Sequence, residues 1–166
     1  MYIKNFLLFG ILGLSLLAAC DSSRVVEEYV DYTEGNWYYD SVANFEVDIR
    51  DTTQDYNIYF NVRNSIAYPF YNLYIQYELS DSSGRLLRSN LQEFTLMHAK
   101  TGEPFGETAS PAGEGIGLLY THQFPLLNTY KFESAGTYTF RFNQYMQPDT
   151  LPGIYNVGIR VEKAKK

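Results

Sequence analysis

The chain has 166 residues, with 13 Lys and Arg against 19 Asp and Glu, and 45% of its residues are apolar. This length suits one domain once a targeting segment is removed, and the apolar content supplies a packed core rather than a disordered chain. The net charge is negative, and a basic cluster occurs only at Lys163, Lys165 and Lys166. Both features argue against a nucleic-acid binder, which needs cations to neutralise phosphates.

Residues 1–19 have the anatomy of a secretory signal peptide. Lys4 lies in a short polar region, an apolar run extends from Phe6 to Leu17, and two alanines precede Cys20. The run is shorter than the roughly 20 apolar residues that a membrane-spanning helix needs. We therefore expect cleavage, and the alternative is an uncleaved signal anchor in which Cys20 has no special role.

Cys20 is the only cysteine of the chain, and the tetrad Leu-Ala-Ala-Cys at 17–20 resembles the bacterial lipobox. In a lipobox, the thiol that follows the small residues accepts a diacylglyceryl group. An unpaired thiol is a liability in an oxidising compartment, whereas acylation gives it a use. Several acyl chains on Cys20 would hold the protein stably at a membrane of the cell envelope, with the domain in or facing the periplasm. The sequence leaves open whether this is the inner or the outer membrane.

Residues 20–44 are expected to form a lipidated tether followed by an N-terminal aromatic segment. The stretch 21–24 is short and polar, and residues 25–32 could form a helical turn. Trp37, Tyr38 and Tyr39 then crowd together before the first clear strand. Because one small core cannot bury all the rings of this segment, we expect exposed aromatic side chains here.

From residue 45 onward, apolar and polar residues alternate, which is the pattern of half-buried strands. Phe45, Val47 and Ile49 share one face of the first expected strand, and the opposite face is polar. The same pattern predicts strands over 45–50, 57–63, 73–79, 137–143 and 155–162, while 86–98 fits either one bent strand or two short ones. Residues typical of turns separate these segments.

About seven short strands with turns between them predict an all-β fold, an antiparallel β-sandwich of the immunoglobulin-like or Greek-key type over residues 45–166. Tyr138 follows a turn at Gly136, which fits the tyrosine corner of immunoglobulin-like sandwiches as well as an ordinary turn packed by a tyrosine. The glycine-rich stretch 101–119 is expected to be a long flexible loop, either a binding element or a tolerated insertion.

The sequence offers little for catalysis or cofactor binding. His98 and His122 are far apart and lack neighbouring ligands at metal-binding spacing. The G-x-S-x-G nucleophile motif is absent, and the glycines of 113–117 lack the fingerprint of a dinucleotide site. Acids such as Glu78 and Glu93 could meet across strands, but nothing singles out a pair. We therefore expect no enzyme, no metal and no cofactor.

Aromatic side chains are the conspicuous feature of the chain, which has 16 Tyr, 11 Phe and one Trp. Tyrosine and tryptophan bury a large area at low entropic cost and keep a polar tip, which suits protein interfaces. Alternatively, tyrosine is simply a good strand residue on exposed faces. We favour partner contact for two clusters, which contain Trp37, Tyr38, Tyr39, Tyr68, Phe70 and Tyr71.

Several sequence blocks follow one another in order: DTTQ at 51–54, YNIYFNVRNS at 56–65, YP at 68–69, KTGEPFG at 100–106, FPL at 124–126, QYM at 144–146, DTL at 149–151, GI at 153–154 and VGIRVEK at 157–163. Together with Cys20 they resemble the gliding-motility lipoprotein H family (GldH) of Bacteroidetes. The resemblance implies a component of the envelope machinery for surface gliding, a system tied to type IX secretion of mobile adhesins. It implies no catalytic residue and carries over only the acylated Cys20.

Three functional hypotheses follow. The first is a non-catalytic lipoprotein that docks onto other envelope proteins of the gliding apparatus through aromatic and loop surfaces, with no small-molecule substrate. The second is a periplasmic lipoprotein that binds a small ligand or glycan in a pocket lined by Tyr59, Tyr74 or Tyr145. The third is an enzyme, which would require a cluster of acids or histidines with perturbed pKa values in a cleft.

Overall fold

The computed structural model describes residues 23–109 and 117–165, so the expected signal peptide and Cys20 lie outside the described part of the chain. The described residues form strands β1 (Arg24–Asp31), β2 (Asn36–Tyr38), β3 (Ala43–Ile49), β4 (Tyr56–Ser65), β5 (Asn72–Ser80), β6 (Leu86–Thr95), β7 (Glu107–Ala109), β8 (Leu119–Tyr130), β9 (Gly136–Gln144), β10 (Thr150–Pro152) and β11 (Ile154–Lys163). They contain no helix with the length and hydropathy to cross a bilayer. The all-β prediction is confirmed, but about seven strands is too few, since eleven are present.

The strands that the sequence pattern missed have identifiable reasons. β2, β7 and β10 have 3 residues each, too few for a two-residue period to register. β1 reads RVVEEYVD, where adjacent valines and adjacent glutamates break the alternation. β8 contains Pro125 and shifts its register against β4, so its pattern is irregular.

The long strands form two antiparallel sheets. The five-stranded sheet has the order β1-β11-β4-β8-β7, the four-stranded sheet has the order β3-β9-β5-β6, and β2 pairs with β10 separately. The pairs β1–β11, β3–β9, β4–β8 and β5–β6 are nested along the chain. This nesting is the strand order of a jelly roll, a sandwich of two Greek keys. The antiparallel sandwich is therefore confirmed. The immunoglobulin-like variant is wrong, because that arrangement keeps its first two strands in one sheet. Here the first two long strands, β1 and β3, belong to different sheets, and the short β2 between them pairs, among the described strands, only with β10.

Aromatic rings join the two sheets through the core. On β4, the side chains of Ile58, Phe60 and Val62 are fully buried between the sheets. Phe60 stacks on Phe94 of the opposite sheet with ring centroids 5.1 Å apart, and Phe94 stacks in turn on Phe124 of β8 at 4.7 Å. Truncating such a ring costs about 3–5 kcal/mol, because the neighbours collapse only partly into the space.

The folded part of the chain begins well before residue 45. β1 lies at the edge of the five-stranded sheet, where Val26 is opposite Val161 and Val30 is opposite Val157. Val26 and Val30 pack against the core. The expected helical turn over residues 25–32 is therefore wrong, and most of the segment 20–44, expected as a tether and aromatic segment, belongs to the sandwich from Arg24 onward.

The strands run between two ends of the sandwich. One end, called the N-terminal end below, holds Ser23, whose carbonyl accepts a hydrogen bond from the amide of Lys163 at 2.8 Å. It also holds the loops 50–55, 81–85 and 131–135. The opposite end holds the loops 39–42, 66–71 and 145–149.

Two connecting segments singled out by the sequence are ordered by local contacts. The hydroxyl of Tyr138 donates to the carbonyl of Ser134, 4 residues upstream, at 2.8 Å, which is the contact of a tyrosine corner. The expected flexible loop 101–119 contains β7, which pairs with the beginning of β8. Its residues 110–116 lie outside the described part of the chain.

Candidate functional site

Exposed tyrosines gather at the end of the sandwich opposite Ser23. Tyr38, Tyr39, Tyr71 and Tyr145 each expose between 46% and 55% of their surface. They lie on or beside the three loops of that end, 39–42, 66–71 and 145–149. These four tyrosines and the three loops are called the aromatic end below. Several exposed rings at one place on a domain mark a surface suited to a protein partner.

The structure corrects two of the six predicted contact residues. Trp37 is 0% exposed and Tyr68 is 2% exposed, so neither can touch a partner. Trp37 stacks on Tyr32 with ring centroids 5.8 Å apart, and both Trp37 and Tyr68 belong to the core. Phe70 is half-buried and meets the Tyr68 ring edge-on at 5.7 Å. Among the predicted residues, Tyr38, Tyr39 and Tyr71 are the exposed ones.

Trp37 and Tyr68 instead fix the loops that carry the exposed tyrosines. The indole Nε1 of Trp37 donates to the carbonyl of Ser41 at 2.8 Å, within the loop that follows Tyr38 and Tyr39. The Tyr68 hydroxyl donates to the carbonyl of Asn72 at 2.8 Å and so spans the position of Tyr71. Each bond reaches 4 residues ahead.

A buried glutamine fixes the third loop in the same way. Gln144 is fully buried, and its Nε2 donates to the carbonyl of Pro148 at 3.0 Å. Its Oε1 accepts a hydrogen bond from the amide of Met146 at 2.8 Å. Tyr145 therefore lies on a loop that is closed from inside. Since ordering a loop on binding costs free energy, loops ordered beforehand favour binding.

Backbone hydrogen bonds tie the aromatic end together and to the sheets. The amide of Tyr39 donates to the carbonyl of Asp149 at 2.8 Å, which links two of the three loops. The amide of Tyr145 donates to the carbonyl of Tyr74 on β5, also at 2.8 Å. Burial raises the pKa of Tyr68, so its hydroxyl stays protonated and keeps its role as a donor. The aromatic end is thus a preformed surface rather than a set of independent loops.

Sequence reasoning named Tyr145 only as part of a ligand pocket, and the structure places the other two tyrosines named for that pocket on different sheets. Tyr59 lies on β4 and donates its hydroxyl to Glu162 at 3.0 Å, in the five-stranded sheet. Tyr74 lies on β5 of the other sheet, where a hydrogen bond to Glu93 raises the pKa of its hydroxyl. Gln144 was missed altogether. Its only signal was a polar residue at a core position of the β9 alternation.

The two histidines contact different aromatic rings. His98 meets Phe105 edge-on, with ring centroids 6.3 Å apart, and His122 stacks on Phe124 at 5.6 Å. Burial lowers the pKa of His122 to about 4, so its ring is neutral at pH 7. Among the residues that the structure describes, no group of three or more His, Cys, Asp or Glu is arranged to hold a metal ion.

The fold and the aromatic end define a β-sandwich protein of jelly-roll order, whose first strand starts at Arg24 and whose exposed tyrosines lie on loops at the opposite end. The model of the GldH lipoprotein family matches residues 24–161, and the chain belongs to this family. The predicted membership is confirmed, and with it the assignment as a membrane-anchored envelope lipoprotein of the gliding-motility family.

Two relatives match almost end to end. A protein of Christiangramia forsetii named gliding motility lipoprotein GldH homolog is 30% identical over 161 residues, which cover 93% of each chain. The gliding motility lipoprotein GldH of Flavobacterium johnsoniae is 29% identical over 172 residues, covering 98% of this chain and 99% of the relative. The range matched by the family model, residues 24–161, includes all eleven strands apart from the end of β11.

Proposed function

We propose that this protein is a non-catalytic lipoprotein that supports gliding motility by holding another envelope protein at its aromatic end. The names of the two relatives support the motility role. The connection to type IX secretion comes from the family resemblance and is part of the proposal. The single observation that carries the contact is the set of four half-exposed tyrosines on three loops that are fixed from inside.

The position of the anchor supports this surface. Cys20 precedes Ser23 by three residues, so a lipid on its sulfur would lie within about 11 Å of the N-terminal end, even with the chain fully extended. β4 has 10 residues and runs towards the aromatic end, which places the two ends about 30 Å apart. The tyrosines would then face away from the membrane surface, into the periplasm, where a partner domain can reach them.

The chemistry of the aromatic end suits a protein rather than a charged ligand. Tyrosine rings in water-excluded centres of interfaces dominate binding energies, and truncating one typically costs more than 1–2 kcal/mol of binding free energy. The side chains of Tyr38, Tyr39, Tyr71 and Tyr145 each offer an exposed aromatic ring and a hydroxyl group that can donate and accept hydrogen bonds. A partner would therefore bury neutral aromatic area and satisfy the hydroxyl groups, at little desolvation cost.

Motility of complemented deletion strains tests the proposal. We expect Tyr39→Ser combined with Tyr71→Ser to abolish spreading on agar while the protein remains at normal level in the membrane fraction. The matched control combines Leu86→Ser with Leu91→Ser, which removes two exposed apolar side chains of β6 away from the aromatic end. Normal spreading of the tyrosine variant would refute the contact. Normal spreading of the deletion strain itself would refute the motility role.

A further inference from the structure

The outer face of the five-stranded sheet carries a groove that is separate from the aromatic end. None of the tyrosines or loops of the aromatic end lines it. Its cavity volume is about 410 Å³, within the range of ligand pockets. Strands β1, β4, β8 and β11 line it together with the first residue of β7 and the two residues before it. Its principal polar side chains are those of Glu27, Tyr29, Asn61, Thr121, Gln123 and Arg160.

A glycine shapes the floor of this groove. In the sheet register, Gly158 of β11 lies between Tyr29 of β1 and Asn61 of β4. A Cβ atom on Gly158 would lie 2.5 Å from the Tyr29 ring, so the ring rests on bare backbone. The Asn61 amide donates to the Tyr29 hydroxyl at 3.1 Å. That hydroxyl in turn donates to the Glu27 carboxylate at 3.0 Å. The guanidinium of Arg63 lies 5.0 Å from the ring centroid and helps to hold the ring.

Polar atoms in the groove lack partners. Asn61 is only 2% exposed, yet its Oδ1 has no hydrogen-bond partner among the described residues. The Oγ1 of Thr121, on the next strand, is buried and unpaired in the same way. The Gln123 amide is exposed beside them and lines the groove. The Nε2 of His122, which also lines the groove, is buried and unpaired as well. Buried polar atoms are rarely left unpaired, and three of them beside one groove indicate that a ligand completes their hydrogen bonding.

The charges of the groove select a neutral ligand. Glu27 and Arg160 form an ion pair at 3.0 Å, and Arg160 also pairs with Glu162 at 3.0 Å. Burial opposes ionisation of Glu27, but hydrogen bonds from Arg24 and Tyr29 and the charge of Arg160 lower its pKa on balance. Glu107 adds a second carboxylate to the lining. Because acids outnumber bases in the lining, anionic ligands are disfavoured.

We propose that this groove binds a neutral saccharide segment. Sugar hydroxyl groups both donate and accept hydrogen bonds, which matches the unpaired atoms of Asn61 and Thr121 and the amide of Gln123. The exposed ring of Phe105 on the lining offers an apolar surface to the C–H face of a pyranose. An extended peptide fits less well, because β7 already occupies the edge of β8 at residues 119–121. This site extends the proposed function, and it is separate from the protein contact at the aromatic end.

Calorimetric titration tests the site with the mature protein extracted from its own membrane in a detergent without a sugar head group. The probes are maltohexaose, cellohexaose, xylohexaose, laminarihexaose and mannohexaose, with polygalacturonate as an anionic probe and the peptide (Thr-Val)4 as an extended strand. We expect at least one neutral oligosaccharide to bind and polygalacturonate not to bind. Gln123→Ala and Phe105→Ala should each weaken that binding about tenfold.

Two controls separate this site from other surfaces. Gln76→Ala removes an exposed amide from the outer face of the four-stranded sheet and should leave the affinity unchanged. Tyr145→Ala should also leave it unchanged, although it alters the aromatic end, so failure of one proposal does not imply failure of the other. The saccharide site is overturned if no oligosaccharide of the panel binds at millimolar concentration, if the groove variants bind as the wild type does, or if only the peptide binds.

Discussion

Removal of one hydroxyl group tests whether the aromatic end depends on the hydrogen bonds that buried side chains donate to its loops. Tyr68→Phe keeps the buried ring but deletes the hydrogen bond to the carbonyl of Asn72, which is 2.8 Å long. A buried hydrogen bond of this kind contributes about 1 kcal/mol, and the carbonyl left unpaired adds a desolvation cost of about 1 kcal/mol. We therefore expect the free energy of unfolding to fall by about 1–2 kcal/mol, and we expect the loop that carries Tyr71 to loosen.

Tyr138→Phe is the matched control, because it deletes an equal 2.8 Å bond from a buried tyrosine to a carbonyl at the N-terminal end. Urea unfolding should give similar losses of stability for the two variants. Amide hydrogen exchange should accelerate at residues 70–72 only in Tyr68→Phe, and only this variant should slow spreading of a complemented strain. Equal spreading of the two strains, or unchanged exchange at residues 70–72, would refute the idea that the Tyr68 hydrogen bond prepares the contact surface.

Three further outcomes are expected. Gly153→Ala should lower the free energy of unfolding by about 3 kcal/mol or more in urea, because φ at Gly153 is +82° and a Cβ would lie 2.4 Å from the amide nitrogen of Tyr68. The control Gly84→Ala should cost about 1 kcal/mol, because Gly84 has a similar φ of +81° but no atom within 4 Å of the added Cβ. As the pH falls from about 6.5 to 4, the wild type should lose about 1–2 kcal/mol more stability than His122→Phe. Burial lowers the pKa of His122 to about 4 in the folded protein, so this imidazole takes up its proton at higher pH in the unfolded chain. Equal losses in the two proteins would contradict this. Cys20→Ala should remove radiolabelled palmitate and the membrane association of the protein, and a labelled variant would show that the lipid is elsewhere.

The strands that could be predicted are those in which apolar and polar residues alternate along the local sequence. β3 and β5 alternate strictly between buried and more exposed residues, because one face of each lies on the core. β6 could be predicted only loosely, since it is an edge strand and most of its residues are exposed on both faces. The jelly-roll order could not be predicted, because β1 meets β11 across most of the chain and no local pattern encodes that pairing.

The aromatic residues show the same division between local and distant information. Tyr38 and Tyr39 are exposed as predicted, but their neighbour Trp37 is fully buried. Neighbouring aromatic residues look alike in sequence, and only the pairing of β2 with β10 decides which side chain points to the core. The unpaired Oδ1 of Asn61 was equally hidden, because this polar side chain fits the alternation of β4 as an ordinary surface residue.

Site-specific photo-crosslinking in gliding cells tests the central claim most directly. A benzophenone amino acid replaces Tyr39 at the aromatic end or, as the control, Ser83 in the exposed loop 81–85 at the N-terminal end. Both variants should reach the membrane fraction and support gliding. We predict that position 39 crosslinks to one envelope protein whose own deletion abolishes gliding, and that position 83 does not. Crosslinks at position 83 but not at position 39 would contradict the assignment of the aromatic end as the docking surface.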